Sequence, residues 1–223
     1  MRTLGFAFLL AAAGCLAVSA APVAVAEVEV AETMMGLPLV FADNFEDGKA
    51  DGWKPTDPDA WRVAEIDDNH CLEQFKGSDY KPPVRSPHNI AWTQDVAVSD
   101  FVLEANLWQT GRDYGHRDMC IFFGKQDPSH FYYVHIATKA DPHANNIFIV
   151  NGEPRTAIAD KTTKGTDWGK GWHHVRIVRK VEDGTIQVYF DDMEKPIMTA
   201  EDKTFKSGPI GFGTFDDTGR GDN

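Results

Sequence analysis

Apolar positions recur along the chain in short runs, many alternating with polar ones, and no segment keeps a helical period for more than about ten residues. The strand-like runs are PLVFADNF at 38–45, AWRVAEI at 60–66, HCLEQF at 70–75, NIAWT at 89–93 and DVAV at 95–98. FVLEANLWQT at 101–110, MCIFFG at 119–124, HFYYVHIAT at 130–138 and NNIFIVN at 145–151 form the middle of the chain. WHHVRIVRK and TIQVYFDD read as a hairpin joined through Glu182, Asp183 and Gly184, and PIMTA and PIGFGTF follow. About twelve strands at this spacing predict an all-β sandwich or barrel. In the 101–110 run, Phe101, Leu103, Ala105 and Leu107 share one face, and Val102, Glu104, Asn106 and Trp108 the other.

Composition agrees with the pattern. The chain has 223 residues, with 23 Asp against 11 Glu, 19 Gly and 12 Pro. Asp, Gly and Pro favour turns over helices. A formal net charge of -12 argues against a nucleic-acid partner, which requires a basic face. Residues 37–223 read as a single domain after a leader at 1–26 and a tail at 27–36. Arg2, the apolar run 4–16 and two small-x-small sites make residues 1–26 a signal peptide. The expected location is therefore secreted or periplasmic, with no membrane span. Cys15 in AAGC gives a minor lipoprotein alternative. Cys71 and Cys120 lie beyond the leader; they are either one disulfide or two buried thiols.

Three segments carry a resemblance. Trp172-His173-His174-Val175-Arg176-Ile177, the stretch from Gly184 to Asp192, and Gly208-Pro209-Ile210-Gly211-Phe212-Gly213 resemble the close of laminin-G-like domains. The opening from Phe41 to Gly48, with Trp53 and Trp61-Arg62-Val63, resembles exported bacterial domains of the 3-keto-disaccharide hydrolase-like or family-16-glycosidase-like kind. All belong to the concanavalin A-like lectin/glucanase superfamily. The resemblance implies a two-sheet antiparallel jelly roll with a carbohydrate ligand. Two departures stand out. The Glu-x-Asp-x-x-Glu pattern of glucanases is absent, so retaining hydrolysis by a carboxylate pair is not supported. After Phe215 the sequence offers no aromatic and apolar final strand, so that strand reads as missing and a sheet edge as open.

The densest chemistry lies at 112–146, which holds His116, His130, His135 and His143. His116, Asp118 and His135 are the candidate acid, base or metal-binding groups. Tyr114, Arg117, Tyr133, His143 and Asn145 are candidate ligand-binding residues. Glu104, Asn106 and Trp108 on one strand face offer a sugar platform, an indole matching the C–H face of a pyranose. Trp92 and Trp168 are further platform candidates, whereas Trp53, Trp61 and Trp172 read as core. Asp43, Glu46, Asp47, Asp216 and Asp217 are hard oxygen ligands that a jelly roll would gather where its ends meet, and Asp43 with Asp216 are the candidate ligands of a structural calcium ion. No organic cofactor is expected. The sequence thus points to an exported glycan-binding domain, with cleavage of 3-keto glycosides implied by the resemblance. The alternatives are a non-catalytic lectin-like module and a structural envelope protein.

Overall fold

The computed structural model describes residues 32–222. The expected leader and residues 27–31 of the expected tail lie outside the described residues. β1 (Thr33–Met34) and β2 (Leu37–Pro38) form a small hairpin, so the end of the expected tail is part of an ordered turn. Then come β3 (Trp53–Pro55), β4 (Trp61–Ile66), β5 (Asn69–Gln74), β6 (Asn89–Thr93), β7 (Phe101–Gln109), β8 (Asp118–Asp127) and β9 (His130–Ala137). The chain continues through β10 (Asn146–Asn151), β11 (Thr156–Ala157), β12 (Lys161–Thr162), β13 (His173–Arg179), β14 (Thr185–Phe190), β15 (Met198–Glu201), β16 (Gly211–Thr214) and β17 (Gly219–Asp222). One sheet has seven strands in the order β11-β10-β9-β8-β16-β6-β3, and the other has eight in the order β12-β15-β14-β13-β7-β17-β5-β4. All pairings within them are antiparallel. The two-sheet sandwich expected of a jelly roll is present. No helix among the described residues is long and apolar enough to cross a membrane.

Local sequence explains the turns. Asp67 and Asp68, both at positive φ, join β4 to β5 with the backbone twist a two-residue hairpin requires. The predicted hairpin of β13 and β14 forms, with Gly184 at φ +86 in its turn.

The core between the sheets takes Met119, Ile121 and Phe123 from β8 and Tyr132, Val134 and Ile136 from β9. Leu107, Val175, Ile177, Ile186 and Val188 meet them from the eight-stranded sheet. The alternate residues of the seven-stranded sheet make a second apolar layer: Ile90, Trp92, Cys120, Phe122, Phe131, Tyr133, Phe148 and Val150. Val84, on the segment between β5 and β6, packs against it. β6, β8 and β9 are therefore buried on both faces, which is why MCIFFG and FYYVHIA read as unbroken apolar runs.

Three sequence expectations are corrected. Of PLVFADNF only Pro38, the end of β2, is strand; Asp43 accepts the amide of Phe45, which sits at φ +57, and this Asx turn breaks the run. DVAV is not a strand, because Asp95 takes φ +55 and only Val98 bridges, to Gly208. The closing strand is not missing. β17 lies between β7 and β5, its Gly219 opposite Gln109 and Gln74. It is built on glycine because a Cβ at Gly219 would stand 2.0 Å from the Met119 sulfur, and one at Gly221 would stand 2.5 Å from the Phe212 ring. Cys71 and Cys120 are both free and buried.

Candidate functional site

The seven-stranded sheet carries an outer cleft of about 280 Å³. Its walls are Arg85, Tyr114, His116, His135, His143, Arg155, Phe215 and Asp216. Each comes from a loop or strand end beside β8, β9 and β10. The loop before β8 supplies Tyr114 and His116. The turn between β9 and β10, closed by the Asp141–Ala144 bridge, supplies His143. The segment before β6 supplies Arg85, whose carbonyl accepts the amide of Arg155. The stretch after β16 supplies Phe215 and Asp216.

His116 bonds through Nε2 to the carboxylate of Asp141. Asp141 also accepts the His143 amide at 2.7 Å, which fixes the turn. With its proton on Nε2, His116 has a basic lone pair at Nδ1. Arg155 stacks between two rings, its guanidinium carbon 4.2 Å from the Phe215 centroid and 5.3 Å from that of Phe148. It gives one hydrogen bond, to the His143 carbonyl at 3.2 Å, and its Nε and Nη1 have no protein acceptor.

Beneath the cleft lies a buried polar group. His135 Nδ1 accepts the amide of Asn145 at 3.4 Å, which puts the ring proton on Nε2, 3.7 Å from Asp118 Oδ1. Burial, followed by the charge of Arg155, holds His135 down to about 3, so the ring is neutral. Burial raises the Asp118 carboxyl well above its ordinary value. Asp118 Oδ2 accepts the Phe215 amide at 2.8 Å and faces Cys120 Sγ at 3.1 Å, and Oδ1 has no hydrogen-bond partner. Asp217 Oδ2 accepts the Tyr114 hydroxyl at 2.9 Å and the Asp118 amide at 3.0 Å. The Tyr133 hydroxyl is buried and unpartnered.

Of the residues singled out from sequence, Tyr114, His116, His135 and His143 come together in the cleft. Asp118 and Tyr133 lie below it, inaccessible to solvent, because β8 and β9 are covered on both faces. Arg117 is turned away: it donates to the Gly169 carbonyl at 3.0 Å and faces Asp113 at 3.6 Å. Asn145 is fully buried, and its amide is committed to Thr162 and Thr163 while its oxygen accepts from Ala137 and Thr166. It is a structural knot, with no group left for a ligand.

Glu104, Asn106 and Trp108 are on the outer face of the other sheet and do not join the histidines. Glu104 pairs with Arg176, and Asn106 bonds His174 at 3.1 Å. Trp108 lies under the Arg220 guanidinium and packs edge-on against Trp172, whose ring is thus on that outer face and not in the core. Trp168 is core, its indole N–H bonded to the Ile136 carbonyl, and Trp92 is buried in the second apolar layer. Arg85, Arg155 and Phe215 escaped sequence reading. Their only signal is placement: two of them follow Pro-containing turns, PPVRSP and GEPRT.

Asp43 and Asp216 do not meet in one ligand cluster among the described residues. Asp43 accepts the Trp53 indole N–H at 2.9 Å. Two clusters do form, Asp118 with Asp216 and Asp217, and Asp118 with Cys120 and His135. The second does not suit a metal, because His135 Nε2 carries the ring proton. The first is all oxygen and is of the ligand type that suits a hard cation such as calcium.

No family model matches the chain, and no curated protein matches it. Among solved structures it is similar to the carbohydrate binding module CBM66 from Bacillus subtilis, with a TM-score of 0.54 at 18% identity over 77% of this chain and 92% of that one. It is also similar to the GH43 protein BlXynB from Bacillus licheniformis, with a TM-score of 0.54 at 11% identity over 83% of this chain and 39% of that one. These likenesses show the fold, a two-sheet antiparallel sandwich as expected.

Proposed function

We propose that this chain is a glycan-binding domain and that its ligand lies in the cleft between Arg85, His116, His143, Arg155 and Phe215. The observation that carries this reading is the convergence of hydroxyl, imidazole and guanidinium donors from separate loops onto one cleft of a jelly roll. Similarity in fold to a carbohydrate binding module supports it. The leader at 1–26 fits an exported protein meeting extracellular or periplasmic glycans. Calcium, expected from the sequence, is assigned to Asp118, Asp216 and Asp217. A glycan array, run with and without chelator, tests both. Binding abolished by His116→Ala together with Phe215→Ala is the expected result, and an array blank in both conditions refutes the reading.

A second reading adds cleavage of 3-keto glycosides. In this reading His116 Nδ1 takes the acidic C2 proton of such a sugar. The electron pair then forms the C1–C2 double bond as the C1–O bond breaks, and the departing oxygen takes the proton back from His116. The guanidinium wall opposes the negative charge that develops on the C3 oxygen. Addition of water to the resulting enone completes hydrolysis. Incubation with a 3-keto disaccharide, followed by NMR, tests it: turnover lost in His116→Ala supports catalysis, and binding without turnover leaves a lectin-like module.

A further inference from the structure

We propose that the cleft recognises the carboxylate of an acidic sugar, a hexuronic acid residue, through Arg85 and Arg155. This rests on the glycan-binding reading and narrows its ligand class.

The chain has nine arginines, and all but Arg2 lie among the described residues. Arg62, Arg117, Arg176 and Arg220 each face a carboxylate. Arg179 is buried and donates to the carbonyls of Gly184, Asp202 and Phe205. Arg112 lies over the Tyr114 ring and, like Arg85 and Arg155, forms no ion pair among the described residues. What sets Arg85 and Arg155 apart is that both guanidiniums lie over Phe215, at 5.9 and 4.2 Å from its centroid.

Stacking uses the flat faces of a guanidinium and leaves its N–H groups directed in the plane. Arg155 Nε and Nη1 are buried without a protein acceptor, and Arg85 is exposed at the cleft. A carboxylate, planar and with two acceptor oxygens, is the group that pairs with an exposed guanidinium in parallel hydrogen bonds. Two carboxylates stand nearby: Asp216 lines the cleft and is exposed, and the Asp141 carboxylate is already bonded to His116 and the His143 amide. Two unpaired cations in one cleft are notable in a chain of net charge -12, most of whose surface repels anions. A neutral sugar would leave both guanidiniums facing hydroxyls alone. Tyr114, His116 and His143 remain to contact the ring hydroxyls of the same sugar.

The test is calorimetric titration of the full chain with oligogalacturonate, alginate and hyaluronan oligosaccharides. Each is paired with its counterpart whose carboxylates are reduced to alcohols, and sulfated neutral oligosaccharides form a separate arm. We expect at least one uronate to bind about tenfold or more tighter than its reduced counterpart. The preference should be lost in Arg155→Gln and in Arg85→Gln, the latter an exposed site where substitution leaves the fold intact, and it should weaken as salt rises. Equal binding within every pair overturns the inference while leaving glycan binding standing. Sulfated glycans bound as tightly as uronates overturn the carboxylate assignment. A uronate preference untouched by both variants overturns the site, and failure to bind any glycan, acidic or neutral, overturns the glycan reading itself.

Discussion

His135 Nε2 and Asp118 Oδ1 stand 3.7 Å apart, with both side chains shut away from solvent. Burial acts on them in opposite senses, pushing the carboxyl up and the imidazole down to about 3. In the unfolded chain the same two groups titrate near 3.8 and 6.5 and hold one proton only between those values.

The consequence is a pH profile with two sides. Because burial raises the Asp118 carboxyl, its contribution to stability falls as pH rises from 3.8. Because burial lowers His135, its contribution falls as pH drops from 6.5 towards 3. In Asp118→Asn the loss with rising pH disappears. His135 alone then loses stability from 6.5 downward towards 3, because only the unfolded imidazole is charged there. Burial also raises the Asp217 carboxyl, which accepts the Asp118 amide, so Asp217→Asn is measured alongside. Denaturant titrations from pH 4 to pH 9 in chelator check it; a D118N profile parallel to the wild type would sink the assignment.

Location of the ligand is tested by separating the two outer faces. Phe215→Ala removes the ring under Arg85 and Arg155 and should weaken glycan binding by about tenfold, roughly the loss of one good stacking contact. Trp108→Ala, on the face of the eight-stranded sheet, should leave affinity unchanged. Titration of both variants with one array hit decides between cleft and platform.

Gly221→Ala should cost about 1–3 kcal/mol, the usual range for overpacking a filled core. The added methyl meets Phe212 at 2.5 Å, and β17 is flanked on both sides, so the strand cannot simply move away. Urea denaturation reads the loss directly, and an unchanged midpoint would show that the ring yields.

Asn145→Ala strips a buried amide from Ala137, Thr162, Thr163 and Thr166 at once. Leaving those partners unsatisfied should cost about 2–4 kcal/mol. The 141–145 turn carries His143 and fixes His135, so amide exchange there should speed up, and glycan affinity should fall although Asn145 touches no ligand. Exchange confined to other segments would contradict this role.

Most strands were legible because alternation and β-branched or aromatic runs survive in β4 to β10 and β13 to β16. β17 was not, because its apolar contact is made by its neighbours: Met119 and Phe212 fill the space that its glycines vacate, and Gly-Arg-Gly-Asp looks like a loop. The histidine cluster was legible as a dense local stretch, yet its polar residues divide by face. Tyr133 and Asp118 point into the covered layer, which nothing in the local sequence marks as covered. Arg85, Arg155 and Phe215 come from three distant segments, and only the pairing of β10, β9, β8, β16 and β6 brings them together. The polar face of β7 read as a binding platform because sequence does not show that Arg176, His174 and Arg220 already occupy it.

β16 and β17 follow one another in the chain, yet each is the wedge of a different sheet. One sits between β8 and β6, the other between β7 and β5. Until residues 211–222 arrive, β6 has no link to β8 and β5 none to β7, so neither layer can close. Contacts this distant in sequence make assembly slow and late. A polypeptide with this order of events cannot fasten either sheet before residues 211–222 are in place.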